Sequence, residues 1–255
     1  MYKILSLQLW QDFFNFSIFT FLPKFLIIHY FPPCGISLRS KLLIMHWIYN
    51  PYDFYFNKAK QEWYKARSAF KLEEIQEKFK IIDKNTHKVL DIGCAPGSWM
   101  QYTHSLLQKM NVKDFSIIWF DIKESSVNLP NVHPYVQDVT VIEKVDEILE
   151  KEWIIPYDPE VKNSWVDFIQ SDMAPNTVWH KSVDALRSVW LLEETLRIYK
   201  KYLKPNWRFA IKIFMWPGFQ EFVADLKLHF GWKNIKVFKP KACRAISKET
   251  YIVKV

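Results

Sequence analysis

Residues 89–99 read VLDIGCAPGSW. Val89, Leu90 and Ile92 make a short apolar strand that runs into Gly93, and Pro96 and Gly97 then lead through Trp99 into a stretch of helical character. A glycine directly after such a strand permits a tight turn and close approach of a ligand to the backbone, and the helix that follows exposes free N–H groups. The stretch therefore predicts a nucleotide-type pocket at the carboxyl end of a parallel strand. Working outward, KVLDIG, FSIIWFD, NVHPYV, WVDFIQSD, WRFAIKIF, IKVFKP and ETYIVKV are short apolar runs separated by longer helical stretches. That alternation predicts an α/β fold with a mainly parallel seven-stranded sheet and helices on both faces. The connection between the last two runs lacks helical periodicity, which predicts an antiparallel edge strand.

The glycine spacing narrows the ligand. Gly93 and Gly97 stand four apart with Pro96 between them and no third glycine follows, so the dinucleotide pattern G-x-G-x-x-G is absent. Asp91, just before the first glycine, suits a cofactor carrying an ammonium and a sulfonium, because a carboxylate stabilises nearby cations. S-adenosylmethionine matches that charge pattern better than NAD. Asp121 ends the second strand, where an acid accepts ribose hydroxyls in nucleotide-binding folds, and Asp138 follows the third, within reach of an adenine amino group. Alone, either would read as a helix cap or a solvated loop acid; the glycine loop gives them a shared purpose. Trp99 is either a core aromatic or a wall of the cofactor pocket.

A formal charge of +8 and a pI near 9.2 favour an anionic partner such as nucleic acid or an acidic membrane face. The cations cluster: Lys58, Lys60, Lys65, Arg67 and Lys71 crowd one segment, and Lys233, Lys236, Lys239, Lys241, Arg244 and Lys248 the C-terminal end. Apolar residues at 49% and charged residues at 24% belong to a packed protein, not a disordered one. Cys34, Cys94 and Cys243 form no C-x-x-C pair, so neither a disulfide framework nor a zinc site is indicated, and a reducing, cytoplasmic setting fits. Residues 1–44 form a hydrophobic extension (FFNFSIFTFLPKFLIIHYF) interrupted by Asn15, Pro23 and Lys24, with no clean span of about 20 apolar residues. It reads as a membrane-leaning extension, an organelle presequence or residues upstream of a start at Met45. Residues 45–57 connect it to a domain over 58–255, which opens with a basic-faced helix from Lys58 to Ile82 marked by Leu72, Ile75, Phe79 and Ile82.

The fourth strand leads into SDMAPN, residues 171–176, which lacks the Asn/Asp-Pro-Pro-aromatic loop of enzymes that methylate exocyclic amino groups. It offers a lone carboxylate, Asp172, suited to orienting a lysine. Lys212 interrupts the strand WRFAIKIF with a charge among apolar neighbours. It is either a solvent-facing lysine on an edge strand or, if buried or near another cation, an amine able to act as a general base.

Five ordered motifs make the comparison specific. YKARSAFKLEEI, VLDIGCAPGSW, SDMAPN, AIKIF and KPKACRAISKETYIV resemble, in order and spacing, the FtsJ/RrmJ (RlmE) family of ribosomal RNA 2′-O-ribose methyltransferases over residues 60–255. The resemblance implies a Rossmann-like S-adenosylmethionine-dependent methyltransferase fold and a catalytic tetrad of Lys71, Asp172, Lys212 and Glu249. In it Lys212 takes the 2′-hydroxyl proton, Asp172 and Glu249 orient it, and Lys71 positions the target. It also implies cofactor contacts at Gly97, Trp99, Asp121, Asp138 and Asp172, beside Asp91 and Gly93 of the loop. No metal is required where a sulfonium already activates the methyl group. The chain departs from the family at Ser98, where a second glycine is usual, and at MWPGF, residues 215–219, in place of a polar loop.

The substrate that follows is a uridine ribose in large-subunit rRNA within a ribosomal subunit, with Lys60, Lys65, Arg67, Lys239, Lys241 and Arg244 taking phosphates. A tRNA anticodon loop or an mRNA cap is the alternative, and a non-catalytic RNA-binding module is a third reading that a complete tetrad disfavours. A C-terminus ending at the last strand leaves no room for a recognition domain, which leans toward ribosomal RNA that supplies its own shape. A monomer without an obligatory protein partner is expected.

Overall fold

A computed structural model describes residues 53–255 apart from 94, 159, 162–164, 175–180, 216–218 and 246. The expectations for residues 1–44, for most of 45–57, for Cys94, and for parts of SDMAPN and MWPGF lie outside the described residues.

All seven apolar runs are strands: β1 (Lys88–Ile92), β2 (Ser116–Asp121), β3 (Val132–Val136), β4 (Val166–Ser171), β5 (Leu203–Phe214), β6 (Ile235–Phe238) and β7 (Glu249–Lys254). They form one sheet in the order β3-β2-β1-β4-β5-β7-β6. The first five run parallel, and β7 pairs antiparallel with β5 on one side and with β6 on the other. The antiparallel pairing expected at one edge is thus built by inserting the last strand between β5 and the edge strand β6. The strand order reverses between β1 and β4, so a crevice opens beyond their carboxyl ends, where ligands bind in open α/β sheets.

Helices α1 (Phe54–Gln61), α2 (Ala69–Phe79), α3 (Ser98–Lys109), α4 (Ile142–Lys151), α5 (Lys181–Tyr202) and α6 (Phe219–Phe230) complete the described elements. Strand residues alternate between two cores because successive side chains leave opposite faces of a sheet. Leu90, Ile92, Phe120, Ile169, Phe209, Ile211 and Ile252 pack under α4, α5 and α6. Val89, Trp119, Phe168, Ala210, Tyr251 and Val253 pack under α2 and α3. Burying both faces is what makes the strands near-continuous apolar runs.

The single helix expected from Lys58 to Ile82 is two. Glu62 caps α1 by donating its N–H to the Lys58 carbonyl, and Trp63 follows with φ +62°, a left-handed residue that cannot continue a helix. The apolar stripe begins only with α2, whose Ala69, Phe70, Leu72 and Ile75 are buried. Lys80 ends α2 in the left-handed region, and the Gln76 side chain then accepts from Ile82 N–H at 2.8 Å and donates to its carbonyl at 2.7 Å. Ile82, expected on the helical stripe, is buried by this turn instead.

Candidate active site

Three of the four expected tetrad residues come from neighbouring strands. Asp172 follows β4 directly, and its predecessor Ser171 pairs with Ile211 of β5. Lys212 lies opposite Tyr251, and Glu249 lies opposite Phe214. Lys212, Glu249 and Tyr251 therefore leave the same face, the one covered by α2. That helix supplies Lys71.

The side chains meet as two ion pairs. Lys71 Nζ lies 2.9 Å from Glu249 Oε2, and Lys212 Nζ lies 3.0 Å from Asp172 Oδ1. Lys212 also donates to the Asp172 main-chain carbonyl. All four side chains are at most 15% exposed, so solvent screens them little. Burial by itself would raise the Asp172 carboxyl; the Lys212 and Lys71 ammoniums, with hydrogen bonds from Lys212 and Tyr251, outweigh it and hold Asp172 below the ordinary carboxylate range. Burial likewise works against a charged Lys71, and Asp172 and Glu249 outweigh it, so its pKa stands above the ordinary value. The interplay of Lys71 with Asp172 joins the two pairs into one cluster.

Tyr251 was not among the residues expected at the site. Its hydroxyl donates to Asp172 Oδ1 at 3.0 Å, and its ring stacks on Trp99 at 5.6 Å. Burial, then Asp172 and Glu249, push its pKa well above the ordinary value, so it stays a donor. The signal was present: Glu249 and Tyr251 are two apart on a strand, which puts them on one face.

On the other side of the crevice, Gly93 and Gly97 both adopt positive φ, +69° and +105°. A β-carbon at Gly93 would lie 2.6 Å from Cβ of Met173, so this glycine lets the loop after β1 pass the loop after β4. One at Gly97 would meet Val127 and Met100 at 2.9 Å. Asp121 braces the loop, its Oδ2 accepting from Ala95 N–H and its Oδ1 from Lys123 N–H, each at 2.9 Å. Asp138 accepts from Thr140 N–H at 2.9 Å. Ile122 and Val136, more than half exposed, stand between these acids, and Val136 is the cross-strand partner of Asp121. Exposed apolar side chains flanked by carboxylates suit a flat, apolar ring system with polar edges.

The side chains of two expected cofactor residues are buried within the protein. Asp91 is fully buried and accepts from Gln170 Nε2 at 2.7 Å, whose carbonyl in turn accepts from Thr103 at 2.7 Å. Trp99 is also fully buried, and its indole N–H donates to the Ser68 carbonyl at 2.8 Å. It ties the segment before α2 to the start of α3.

The expected phosphate contacts gather because the two ends of the domain are stitched together. Glu74 of α2 accepts from the N–H groups of Lys241 and Ala242 at 2.5 and 2.7 Å. Arg67 donates to the Ala242 carbonyl and pairs with Asp53, and Arg244 lies 4.0 Å from the same carboxylate. Lys60, Lys65 and Lys241 are exposed, and Lys239 donates to the Ser247 carbonyl at 2.6 Å. Arg67 and Arg244 thus already serve as struts. Cys243 sits in this seam; burial, then Glu249, push its thiol up to about 12, so it stays protonated. Among the described residues no group of three or more His, Cys, Asp or Glu could hold a metal ion, and no helix is long and apolar enough to cross a membrane.

Comparison with known proteins follows the same outline. The model of the family described as FtsJ-like methyltransferase matches residues 64–255. A protein of Desulfatibacillum aliphaticivorans named ribosomal RNA large subunit methyltransferase E is 38% identical over 202 residues, covering 79% of this chain and 88% of the relative. A protein of the same name from Bdellovibrio bacteriovorus is 36% identical, covering 80% of this chain and 96% of its own. A solved Plasmodium falciparum structure described as a ribosomal RNA methyltransferase superposes with a TM-score of 0.62 at 26% identity, over 75% of this chain and 97% of that one. Human methyltransferase-like protein 13 in complex with SAH superposes at 0.50 and 12% identity, over 73% and 81%, a likeness of fold. Its sheet, its crevice and its relatives agree: the chain is a methyltransferase and belongs to the FtsJ-like family.

Proposed function

We propose that this enzyme transfers a methyl group from S-adenosylmethionine to a ribose 2′-hydroxyl of large-subunit ribosomal RNA, on a uridine. The observation that carries the reading is the convergence of Lys71, Asp172, Lys212 and Glu249 as two linked ion pairs beside the glycine loop. Binding alone has no need of two buried lysines held by two carboxylates. The names of the bacterial relatives support the ribosomal substrate.

The bound cofactor supplies a methyl group activated by its sulfonium. Asp121 would hold the ribose hydroxyls and Asp138 the adenine edge, with Ile122 and Val136 flanking the ring beside Gly93 and Gly97. Asp91 and Trp99, buried within the protein, brace this pocket. With the cofactor bound, the amine form of Lys212 would take the proton leaving the 2′-oxygen as the carbon–oxygen bond forms and the methyl–sulfur bond breaks. Asp172 fixes its orientation, held in turn by Tyr251. Lys71, kept charged by Asp172 and Glu249, positions the incoming ribose. Alignment and proton removal are the protein's share of the chemistry.

The catalytic domain in this reading is residues 58–255, with residues 1–44 dispensable for turnover. It acts as a cytoplasmic monomer and needs neither a metal nor a partner protein. Lys60, Lys65, Lys239 and Lys241 take phosphates of the substrate.

The test is to incubate the protein with labelled S-adenosylmethionine and, in parallel, large ribosomal subunits, free rRNA and tRNA, and to map any alkali-resistant linkage. A 2′-O-methyluridine in large-subunit rRNA is the expected product. Label confined to tRNA, or to a base, would overturn the substrate or the chemistry respectively.

A further inference from the structure

Trp63 stands between α1 and α2 in the left-handed region, φ +62°, which is unfavourable for a residue carrying a β-carbon. Its side chain is 87% exposed. Neither feature helps the chain fold, since backbone strain and apolar surface left in water are both unfavourable.

The mount of this indole is nevertheless well built. Gln101 of α3, one turn beyond Gly97, grips the segment from both sides: its carbonyl accepts from Lys65 N–H at 2.8 Å and its amide donates to the Trp63 carbonyl at 3.2 Å. A few residues on, Ser68 Oγ lies 2.6 Å from Ser98 Oγ, and the Ser68 carbonyl accepts from Trp99. The connector is thus pinned to the start of α3, at the end of the sheet where the tetrad lies. Its surroundings are cationic. Lys60 and Lys65 are exposed, Arg67 follows, and the acid within residues 58–67, Glu62, faces Lys58 at 3.5 Å.

An exposed aromatic ring among ammonium groups is the combination that receives a single-stranded nucleotide: the ring takes the face of the base and the cations take the flanking phosphates. We propose that Trp63 is a stacking platform for an unpaired nucleobase of the substrate RNA, near the nucleotide whose ribose enters the tetrad. The proposal rests on the RNA-methylating reading above. It makes Trp63 a substrate-positioning residue that acts on affinity, not on proton transfer.

Trp153 provides an internal comparison. It has nearly the same backbone, φ +57°, and is 80% exposed. Its carbonyl, however, accepts from Lys88 at the amino end of β1, the end of the sheet away from the crevice. Position and surroundings, not strain or exposure, separate the two.

The experiment compares the full chain with Trp63→Gly, Trp63→Phe and Trp153→Gly. It measures thermal melting, cofactor affinity, and KM and kcat on the ribosomal substrate that the wild type methylates. Binding of a fluorescently labelled single-stranded oligoribonucleotide is followed by fluorescence anisotropy of the label. Glycine suits both backbones, so both glycine variants fold. Trp63→Gly is expected to bind RNA about 5- to 140-fold more weakly, the range of a lost base–aromatic stack, with the change in KM and little in kcat. Cofactor affinity stays unchanged, Trp63→Phe recovers most of the loss, and Trp153→Gly behaves as wild type. A Trp63→Gly chain that binds and methylates RNA normally overturns the proposal while leaving the function standing, as does an equal loss in Trp153→Gly. A wild-type chain that methylates no RNA overturns the function, and the proposal with it.

Discussion

Replacing Asp172 by Asn changes one charge and almost no volume, which makes it the sharpest probe of the cluster. Asp172 Oδ1 receives the Lys212 ammonium and the Tyr251 hydroxyl, each at 3.0 Å. In Asp172→Asn the amide oxygen still accepts from Tyr251, but the Lys212 ammonium, only 9% exposed, faces a neutral group. Removing one partner of a buried pair costs roughly 3–5 kcal/mol, because the other charge is stranded. With Asp172 itself 15% exposed, some water reaches the site and the lower end, about 3 kcal/mol, is expected. For a domain of this size that lowers the melting temperature by roughly 6–12 °C. Urea unfolding at pH 7 measures the loss, and the double variant Asp172→Asn/Lys212→Met isolates its cause. Removing both charges should return most of the stability while methyl transfer stays absent. A single variant within about 0.5 kcal/mol of wild type, or a double variant as unstable as the sum of the two single ones, would refute the linked-pair argument.

The remaining predictions concern the same cluster and its surroundings. Lys212→Ala should slow turnover by ~10²- to 10⁴-fold, the range for a lost general base, with cofactor affinity by calorimetry preserved; undiminished turnover would remove Lys212 from its role. Asp121→Ala takes away the acceptor for both Ala95 and Lys123 N–H groups and should weaken cofactor binding by more than it slows the chemical step, as single-turnover kinetics can separate. The Asp172 pKa lies below its ordinary 3.8, so its contribution to stability is present above that pH and disappears as acid takes the pH through the lower folded value. Lys71 lies above its ordinary 10.5, so its contribution is present below that pH and fades as alkali carries the pH through the higher folded value. The stability gap between wild type and Asp172→Asn should therefore be flat near neutrality and close only in strong acid; a gap that closes near pH 6 would contradict the assignment. Finally, the logarithm of RNA affinity should fall linearly with the logarithm of salt concentration, and Lys65→Ala and Lys241→Ala should each reduce that slope by about 1; an unchanged slope would remove that lysine from the phosphate contacts.

The sequence on its own determined the seven strands, the glycine loop and the candidates Asp172 and Lys212, because each depends on local rules, whereas Lys71 and Glu249 came from the resemblance of the ordered motifs. Apolar runs of strand length, a glycine after a strand and a lysine interrupting an apolar strand can be read from neighbours in the chain. It misjudged the segment before α2, where the periodicity of Leu72, Ile75 and Phe79 extends naturally back to Lys58. The break at Trp63 depends on Gln101 and Ser98, side chains on a distant helix. Only the tertiary structure decided that Trp99 and Asp91 face inward, that Arg67 and Arg244 share Asp53, and that Tyr251 completes the cluster. These outcomes turn on which strands are neighbours and on the register of β5 against β7, which puts Lys212 opposite Tyr251. Strand order is set by packing the whole sheet between its two helical layers, a property of long-range burial that local sequence does not encode.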